Sequence, residues 1–186
     1  MSVICVRVVW DRSAPFSMPG LPGRWHDLHF GPEPGCPAGR RGLALTSAWE
    51  AYATGTRATG LLMLDGDMAI DPRDVSLMLG YIDADPDQVW TAPYRIWPAS
   101  TGRPHWTWAH WPGGPHDASQ RLETEKIAWC GLGFTYLPRA LIQDCQAAGL
   151  RHWRFPSVDT KICQRAAALH IPIGVADQCE PKHLNF

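Results

Sequence analysis

Residues 60–72 read GLLMLDGDMAIDP, and this stretch decides the fold. Four large apolar residues, 61–64, lead directly into Asp65 and Asp67. A run that is apolar at every position is typical of a strand buried on both faces, in a parallel or mixed sheet covered by helices. Asp71 and Pro72 then supply a helix N-cap and a proline for the first turn. The stretch therefore predicts a buried strand, a polar loop and a helix in succession.

The rest of the chain alternates between strand and helix patterns. Short β-branched or apolar runs predict strands at residues 3–10, 25–30, 89–94, 128–137 (with a glycine-containing bend) and 171–175. Helical spacing and capping residues predict helices at 40–54, 71–84, 139–149 and 159–169. This order predicts an α/β fold with one domain over residues 1–186, in which a mixed sheet is flanked by helices.

Composition excludes several function classes. Seventeen basic and eighteen acidic residues leave a net charge of -1, so no overall positive field attracts nucleic acid or an anionic membrane. No run approaches the roughly 18 apolar residues that span a bilayer, and the N-terminus lacks a signal-peptide pattern. We therefore expect a soluble, cytoplasmic protein with no membrane partner. The six cysteines form no C-x-x-C pair, which argues against a zinc ribbon and predicts mostly reduced core thiols.

Asp65, Gly66 and Asp67 lie where the buried strand meets a loop, and ligands bind α/β sheets beyond the carboxyl ends of strands. Two carboxylates joined by a flexible glycine suit a hard cation that leaves positions free for phosphate oxygens. An ordinary Asp-Gly-Asp turn is the alternative. The large apolar strand before the tripeptide and the proline-initiated helix after it favour the metal site.

The segment LLMLDGDMAIDPRDV resembles the DxD segment of GT-A glycosyltransferases, especially the large inverting group. PAGRRGLALTSAWEAYAT before it is similar to that family's phosphate-side helix, and WCGLGFTYLPRALI after it to the acceptor-side strand. The resemblance covers about residues 37–186. It implies a single-domain, Rossmann-like GT-A fold and transfer of a sugar from a UDP- or GDP-sugar with Mn²⁺ or Mg²⁺. Asp65 and Asp67 would bind the ion, and Asp65 and Gly66 would contact the donor.

The same resemblance implies two further site residues. FPSVDTKICQRAAALHIPIGV is similar to the family's acidic helix, so Asp159 would be the base, although Val158 replaces the usual glutamate. A helix N-cap is the alternative role for Asp159. His183, after the last strand, would be the third metal ligand, and an exposed tail histidine is its alternative.

Donor binding would involve two further regions. Arg40 and Arg41 stand where a loop enters a helix, so their guanidinium groups and the helix N-terminus could bind the diphosphate. Solvent exposure is the alternative for both arginines. Asp11 and Arg12 follow the first strand, where the family contacts the nucleobase, and here the match is one of position only.

Residues 95–114, RIWPASTGRPHWTWAHWPGG, are rich in tryptophan and could stack against a sugar ring or a base. Packing of a proline-rich loop is the alternative. Small soluble enzymes of viruses that modify their own DNA suggest hydroxymethylated DNA as one acceptor, with Arg95, Arg103 and Arg121 near an everted base. The neutral overall charge counts against DNA.

Two rival functions remain open at this point. A nucleotidyltransferase would also use metal-binding aspartates, but DRSAPFSMPG is a poor version of its expected glycine-rich loop. A non-catalytic carbohydrate- or nucleic-acid-binding module could be built on the tryptophans. A zinc site at His105, His110 and His116 is disfavoured, because their spacing fits no usual ligand pattern.

Overall fold

The computed structural model describes residues 3–10, 25–30, 41–53, 57–96, 105–106, 108–109, 127–153 and 157–183. At several positions inside these ranges, including 41, 105, 106, 108 and 109, only the backbone is described.

Within these residues the chain forms four α-helices, one short 3-10 helix and twelve strands. The helices are α1 (Arg41–Ala53), α2 (Pro72–Ala84), α3 (Arg139–Ala147), the 3-10 helix (Leu150–His152) and α4 (Ser157–Ala168). The strands are β1 (Val3–Trp10), β2 (Trp25–Phe30), β3 (Gly60–Asp65), β4 (Met68–Ala69), β5 (Val89–Thr91), β6 (Arg95–Ile96), β7 (His105–Trp106), β8 (Trp108–Ala109), β9 (Trp129–Cys130), β10 (Phe134–Pro138), β11 (Ile173–Val175) and β12 (Lys182–His183).

Six of these strands form one mixed sheet in the order β11-β5-β10-β3-β1-β2. β10 runs antiparallel to its neighbours β3 and β5, and the other neighbouring strands pair in parallel. Three two-stranded pairs accompany the sheet: β4 with β12, β6 with β7, and β8 with β9. The predicted α/β fold with a mixed sheet flanked by helices is confirmed.

The sheet is buried on both faces, as the apolar run at 61–64 predicts. Alternate side chains of β3 enter different core clusters, Leu61 and Met63 on one face and Leu62 and Leu64 on the other. Helices α1, α3 and α4 cover the first face, and α2 covers the second. This three-layer arrangement leaves the carboxyl end of β3 at an edge of the sheet, where a polar turn reaches solvent.

The predicted start of α2 is confirmed in detail. Asp71 is the N-cap, and its carboxylate accepts a hydrogen bond from the Arg73 amide at 2.8 Å. The Asp74 carboxylate in turn accepts one from the Asp71 amide at 3.1 Å, which completes a capping box, with Pro72 in the first turn. The helix direction is therefore fixed just after the acidic turn.

The structure differs from the predicted boundaries at two strands near this edge. The predicted strand 128–137 is interrupted at residues 131–133, which separate β9 from β10, because this glycine-containing bend hydrogen-bonds to other segments. The predicted strand 89–94 ends at Thr91, which leaves Tyr94 outside the sheet. The short strands β6, β7, β8 and β12 are not apparent from the sequence pattern.

The cysteine prediction is confirmed for the described residues. Five cysteines are free and buried: Cys5, Cys130, Cys145, Cys163 and Cys179. Burial raises the pKa of the Cys5 thiol to about 11. No helix in the described part of the chain is both long and apolar enough to cross a membrane.

Candidate functional site

The acidic turn begins where β3 leaves the sheet. In the parallel pairing of β1 and β3, Asp65 stands opposite Val8, and the Gly66 amide donates to the Val8 carbonyl at 2.8 Å. The Asp65 amide donates in the other direction, to the Gly133 carbonyl at 2.8 Å. Backbone hydrogen bonds to both neighbouring segments therefore fix the position from which the Asp65 side chain leaves the sheet.

The Asp65 side chain lies below the surface of this turn. The residue is 6% exposed, and its carboxylate belongs to the small set of buried charged groups in the protein. Its Oδ1 atom is buried and makes no hydrogen bond with the described residues, whereas the residue as a whole takes part in other interactions.

The C-terminal segment returns to the same turn. β12 pairs antiparallel with β4, which places His183 opposite Met68, one residue after Asp67. The His183 Nε2 atom lies 3.3 Å from Asp67 Oδ2, and the two side chains are 20% and 31% exposed, respectively. The turn and the tail, far apart in the sequence, thus contribute two potential metal ligands at the surface.

Helix α2 anchors the segment that leads to His183. The Tyr81 hydroxyl donates to Asp177 Oδ1 at 2.7 Å, and the Glu180 amide donates to Asp74 Oδ1 at 3.0 Å. The Cys179 thiol donates to the Asp74 carbonyl at 3.4 Å. These contacts fix the path of the chain shortly before β12.

The Asp67–His183 pair fits two ligands of one ion. An octahedral Mg²⁺ with bonds of about 2.1 Å holds adjacent ligands about 3 Å apart, close to the observed 3.3 Å. No group of three or more His, Cys, Asp or Glu side chains in the described ranges is arranged to hold a metal ion. An ion held by this pair would take its remaining ligands from substrate phosphates and water.

Tyr94 packs beside this pair. Its ring lies 6.1 Å from the His183 ring between centroids, with an angle of 11° between the planes. Its hydroxyl accepts a hydrogen bond from the Gly133 amide at 2.9 Å. Gly133 is the residue whose carbonyl accepts from Asp65, so Tyr94 bonds to the segment that holds Asp65 and packs against His183.

Asp159 lies in the first turn of α4 and is 6% exposed. The helix already includes Ser157 and Val158, so the alternative role of Asp159 as helix N-cap is wrong. Val158, which stands where the resembling family has glutamate, is fully buried in the core. The role of Asp159 as the base stays a prediction.

Trp129 and Cys130 bond to residues of α4, the helix that carries Asp159. The indole N–H of Trp129 donates to the hydroxyl of Thr160 at 3.3 Å. The pKa of the Cys130 thiol is raised well above its ordinary value by a hydrogen bond with Cys163, by burial and by the negative charges of Cys163 and Asp159. The position is thus a closely packed one, in contrast to the exposed Asp67–His183 pair.

Residues 130–133 connect the two acidic regions. At one end, the Cys130 amide donates to the Cys163 sulfur at 3.4 Å, which attaches the segment to α4. In the middle, the Thr135 hydroxyl donates to the Gly131 carbonyl at 2.9 Å. At the other end, Gly133 bonds to Asp65 and Tyr94. One short bend therefore contacts the turn that carries Asp65 and the helix that carries Asp159.

Several predicted site residues lie outside the described residues. Asp11, Arg12 and Arg40 are among them, and so are Arg103 and Arg121. Arg41 is the first residue of α1, and only its backbone is described. The predicted roles of these residues in binding the donor or an acceptor stay predictions.

The sequence gives no direct signal for Tyr94 or for the role of Gly133. Tyr94 is at the end of a predicted strand, and its position outside the sheet depends on where β5 stops. The glycine pattern at 131–133 predicts a bend, but its partners come from β3 and from the segment after β5. Only the three-dimensional arrangement assigns these contacts.

The sequence matches no family model and no curated protein. Among solved structures, it is similar to A197 from STIV, with a TM-score of 0.52 and 14% identity over 97% of this chain and 85% of that chain. It is also similar to CMP:2-keto-3-deoxy-manno-octonic acid synthetase complexed with CTP, with a TM-score of 0.51 and 14% identity over 94% of this chain and 89% of that chain.

A glycosyltransferase involved in the glycosylation of the major capsid of PBCV-1 has a TM-score of 0.46 and 16% identity, over 93% of this chain and 82% of that chain. At 14% identity, the first two matches establish a common architecture. The chain therefore shares its mixed α/β fold with A197 and with the synthetase.

Proposed function

We propose that the protein is a metal-dependent glycosyltransferase that moves a sugar from a nucleotide-sugar donor to a hydroxyl acceptor. The observation that carries the proposal is the contact between Asp67 and His183 beside Asp65, at the end of a central strand. Ligands bind α/β sheets at this place. The resemblance of the surrounding sequence to the DxD segment supports the same reaction.

Asp67 and His183 would hold Mn²⁺ or Mg²⁺ on the donor diphosphate as adjacent ligands, and the resemblance assigns Asp65 to the same ion. When bound, the ion supplies positive charge that stabilises the departing nucleoside diphosphate. Because Gly66 has no side chain, the diphosphate can approach the backbone of the turn. Arg40 and Arg41 would contact the phosphates, and Asp11 and Arg12 the nucleobase.

Asp159 would accept the proton of the acceptor hydroxyl. As that oxygen forms its bond to the anomeric carbon of the sugar, the bond from this carbon to the diphosphate oxygen breaks. A positioned carboxylate typically contributes about 10²- to 10⁴-fold to such a step. Direct displacement in this manner inverts the configuration at the anomeric carbon, as the resemblance to the inverting group suggests.

The tryptophan-rich stretch is the proposed acceptor side. β8 within it pairs with β9, the strand that precedes the bend and carries Trp129 beside Thr160. A flat aromatic surface near Asp159 suits a sugar ring or a nucleic-acid base. We include hydroxymethylated DNA among the acceptors to be tested, together with soluble saccharides.

Nucleotidyl transfer is the second candidate function. The fold likeness to the CTP-complexed synthetase, at a TM-score of 0.51, favours it over a non-catalytic binding module. Such an enzyme would use the same acidic turn but would transfer the nucleoside monophosphate group of a nucleoside triphosphate to a sugar oxygen, with release of pyrophosphate. The two reactions are therefore separated by their products.

The test is a product screen with Mn²⁺. UDP- and GDP-sugars are incubated with the protein and with soluble saccharides or hydroxymethylated DNA, and nucleoside diphosphate release is measured. A parallel screen with nucleoside triphosphates and sugars measures pyrophosphate. We expect diphosphate release from one donor, its loss in Asp67→Asn and its retention in Asp144→Asn. Pyrophosphate release alone would replace the proposal with nucleotidyl transfer, and neither product from a folded protein would contradict both.

A further inference from the structure

We infer that Tyr94 is the positioning residue of the proposed metal site, where it sets both the backbone of Asp65 and the ring of His183. The inference rests on the proposed function, because it gives Asp65 and His183 the task of binding the ion. Tyr94 is 6% exposed and follows β5, between the bend at residues 131–133 and the C-terminal strand β12.

The hydroxyl of Tyr94 acts through Gly133. It accepts from the Gly133 amide at 2.9 Å, and the Gly133 carbonyl accepts from the Asp65 amide at 2.8 Å. A buried amide that loses its acceptor is unfavourable enough to move the segment that carries it. Removal of the hydroxyl should therefore loosen the bend and, through the second hydrogen bond, the start of the acidic turn.

The ring of Tyr94 acts on His183 directly. The two rings are nearly parallel, at 11°, with centroids 6.1 Å apart. This neighbour limits the orientations of the imidazole and favours the one in which Nε2 faces Asp67 at 3.3 Å. The hydroxyl and the ring of one side chain thus set two different groups of the site.

Only glycine fits at position 133 beside the Tyr94 ring. A Cβ atom at position 133 would lie 2.3 Å from the Tyr94 hydroxyl oxygen and 2.5 Å from the ring carbon that bears it. Real Cβ atoms do not approach other atoms so closely, so any other residue would displace the Tyr94 ring. The close packing leaves Tyr94 little freedom, which is what a positioning residue requires.

The experiment compares Tyr94→Phe with Tyr136→Phe. Tyr136 is a matched control because it is a buried tyrosine of the same core cluster, and its hydroxyl donates to the Pro86 carbonyl at 3.0 Å. Amide hydrogen exchange at Asp65 is measured by NMR in the metal-free proteins. Mn²⁺ affinity in the presence of UDP or GDP is measured by electron paramagnetic resonance.

We expect Tyr94→Phe to speed amide exchange at Asp65 about tenfold or more. It should weaken Mn²⁺ binding about 10- to 100-fold, the usual effect of losing a residue that orients a metal ligand. Higher Mn²⁺ concentrations should restore turnover in this variant, since the reacting groups are intact. Tyr136→Phe should change neither quantity at a temperature where both variants are folded. Tyr94→Leu should also shift the ring resonances of His183.

Unchanged exchange and Mn²⁺ affinity in Tyr94→Phe, or equal changes in Tyr136→Phe, would overturn the inference. If the wild-type protein binds no Mn²⁺, the proposed function fails, whereas the exchange rates of Asp65 still decide whether Tyr94 sets the turn. Mn²⁺ binding thus tests the proposed function, and the exchange rates test the role of Tyr94. Should Tyr94→Leu not fold, the comparison of the two phenylalanine variants is sufficient.

Discussion

Asp144 and Asp67 each face a basic side chain from another element of the fold, and the two pairs are built differently. Asp144 in α3 binds Arg165 in α4 through two hydrogen bonds, of 2.5 and 2.6 Å. Asp67 in the acidic turn meets His183 in β12 through one contact of 3.3 Å. The first pair is short and bidentate, whereas the second is longer and uses a single nitrogen.

The two pairs differ in whether the basic side chain has a lone pair that could coordinate a cation. Arginine has only donors and stays protonated, so the Asp144–Arg165 pair can connect two helices but cannot coordinate a cation. Neutral histidine has a lone pair and is a common metal ligand. The Asp67 carboxylate and a neutral His183 ring therefore both offer the lone pairs that coordination of a cation requires. We expect loss of function when the second pair is broken and a small loss of stability when the first is broken.

The largest expected effect is on turnover, and it comes from Asp159, which lies outside both pairs. Asp159→Asn should lower kcat about 10²- to 10⁴-fold, because the acceptor hydroxyl loses its proton acceptor. Binding of Mn²⁺ and the nucleotide sugar should stay at the wild-type level, since Asp67 and His183 are unchanged. Steady-state kinetics and calorimetric donor binding measure the two quantities. Unchanged kcat in a folded variant would remove Asp159 from the mechanism.

Breaking the Asp67–His183 pair should give the next largest effect. Asp67→Asn and His183→Ala should each weaken Mn²⁺-dependent donor binding by a factor on the order of 100, because each removes one ligand of the ion. Asp144→Asn is the matched control and should bind the donor like the wild-type protein. A thermal-shift titration with nucleotide sugar and Mn²⁺ measures the change. Equal losses in the control would place the effect in general stability rather than in the site.

Breaking the Asp144–Arg165 pair should give a smaller effect of another kind. Asp144→Asn should lower Tm by about 1 to 3 °C, because the ion pair is partly exposed and contributes modestly. His183→Ala, with the more weakly joined pair, should lower Tm less. Differential scanning calorimetry without metal compares the two variants. A larger loss of Tm in His183→Ala than in Asp144→Asn would show that the Asp67–His183 pair, and not the Asp144–Arg165 pair, contributes more to stability.

The smallest expected effect is the pH dependence of that stabilisation. The hydrogen bond and charge of Arg165 hold the pKa of Asp144 below its ordinary 3.8. In acid, the folded state therefore binds fewer protons at Asp144 than the unfolded state does. The stabilisation by the Asp144–Arg165 pair is fully present above the unfolded pKa of Asp144 and is lost as pH falls through the lower, folded pKa. The Tm difference between wild type and Asp144→Asn should shrink below pH 3.8. A difference that persists there would show that Arg165 acts on stability by another route.

The local parts of the structure could be predicted from the sequence. The apolar run 61–64 forms a strand buried on both faces, and Asp71 and Pro72 start α2 with a capping box. Both features depend on neighbouring residues and on periodicities of two or 3.6 residues. The mixed α/β class follows from the order of such elements.

The long-range parts could not be predicted from local patterns. β4 and β12 contain two residues each, too few for a periodic signal, yet their pairing brings His183 to Asp67. The sequence points to His183 only through a resemblance to a family. Tyr94 gives no signal at all, because its role depends on the end of β5 and on the approach of Gly133.

Asp67 and His183 are the proposed ligands of one divalent ion. Pulsed electron paramagnetic resonance of Mn²⁺ bound with UDP or GDP tests it directly, because an imidazole ligand gives a nitrogen coupling that water and carboxylates lack. We predict this coupling in the wild-type protein and in Asp144→Asn, and its loss in His183→Ala. Bound Mn²⁺ without a nitrogen coupling in the wild type, or with the same coupling in His183→Ala, would contradict the account.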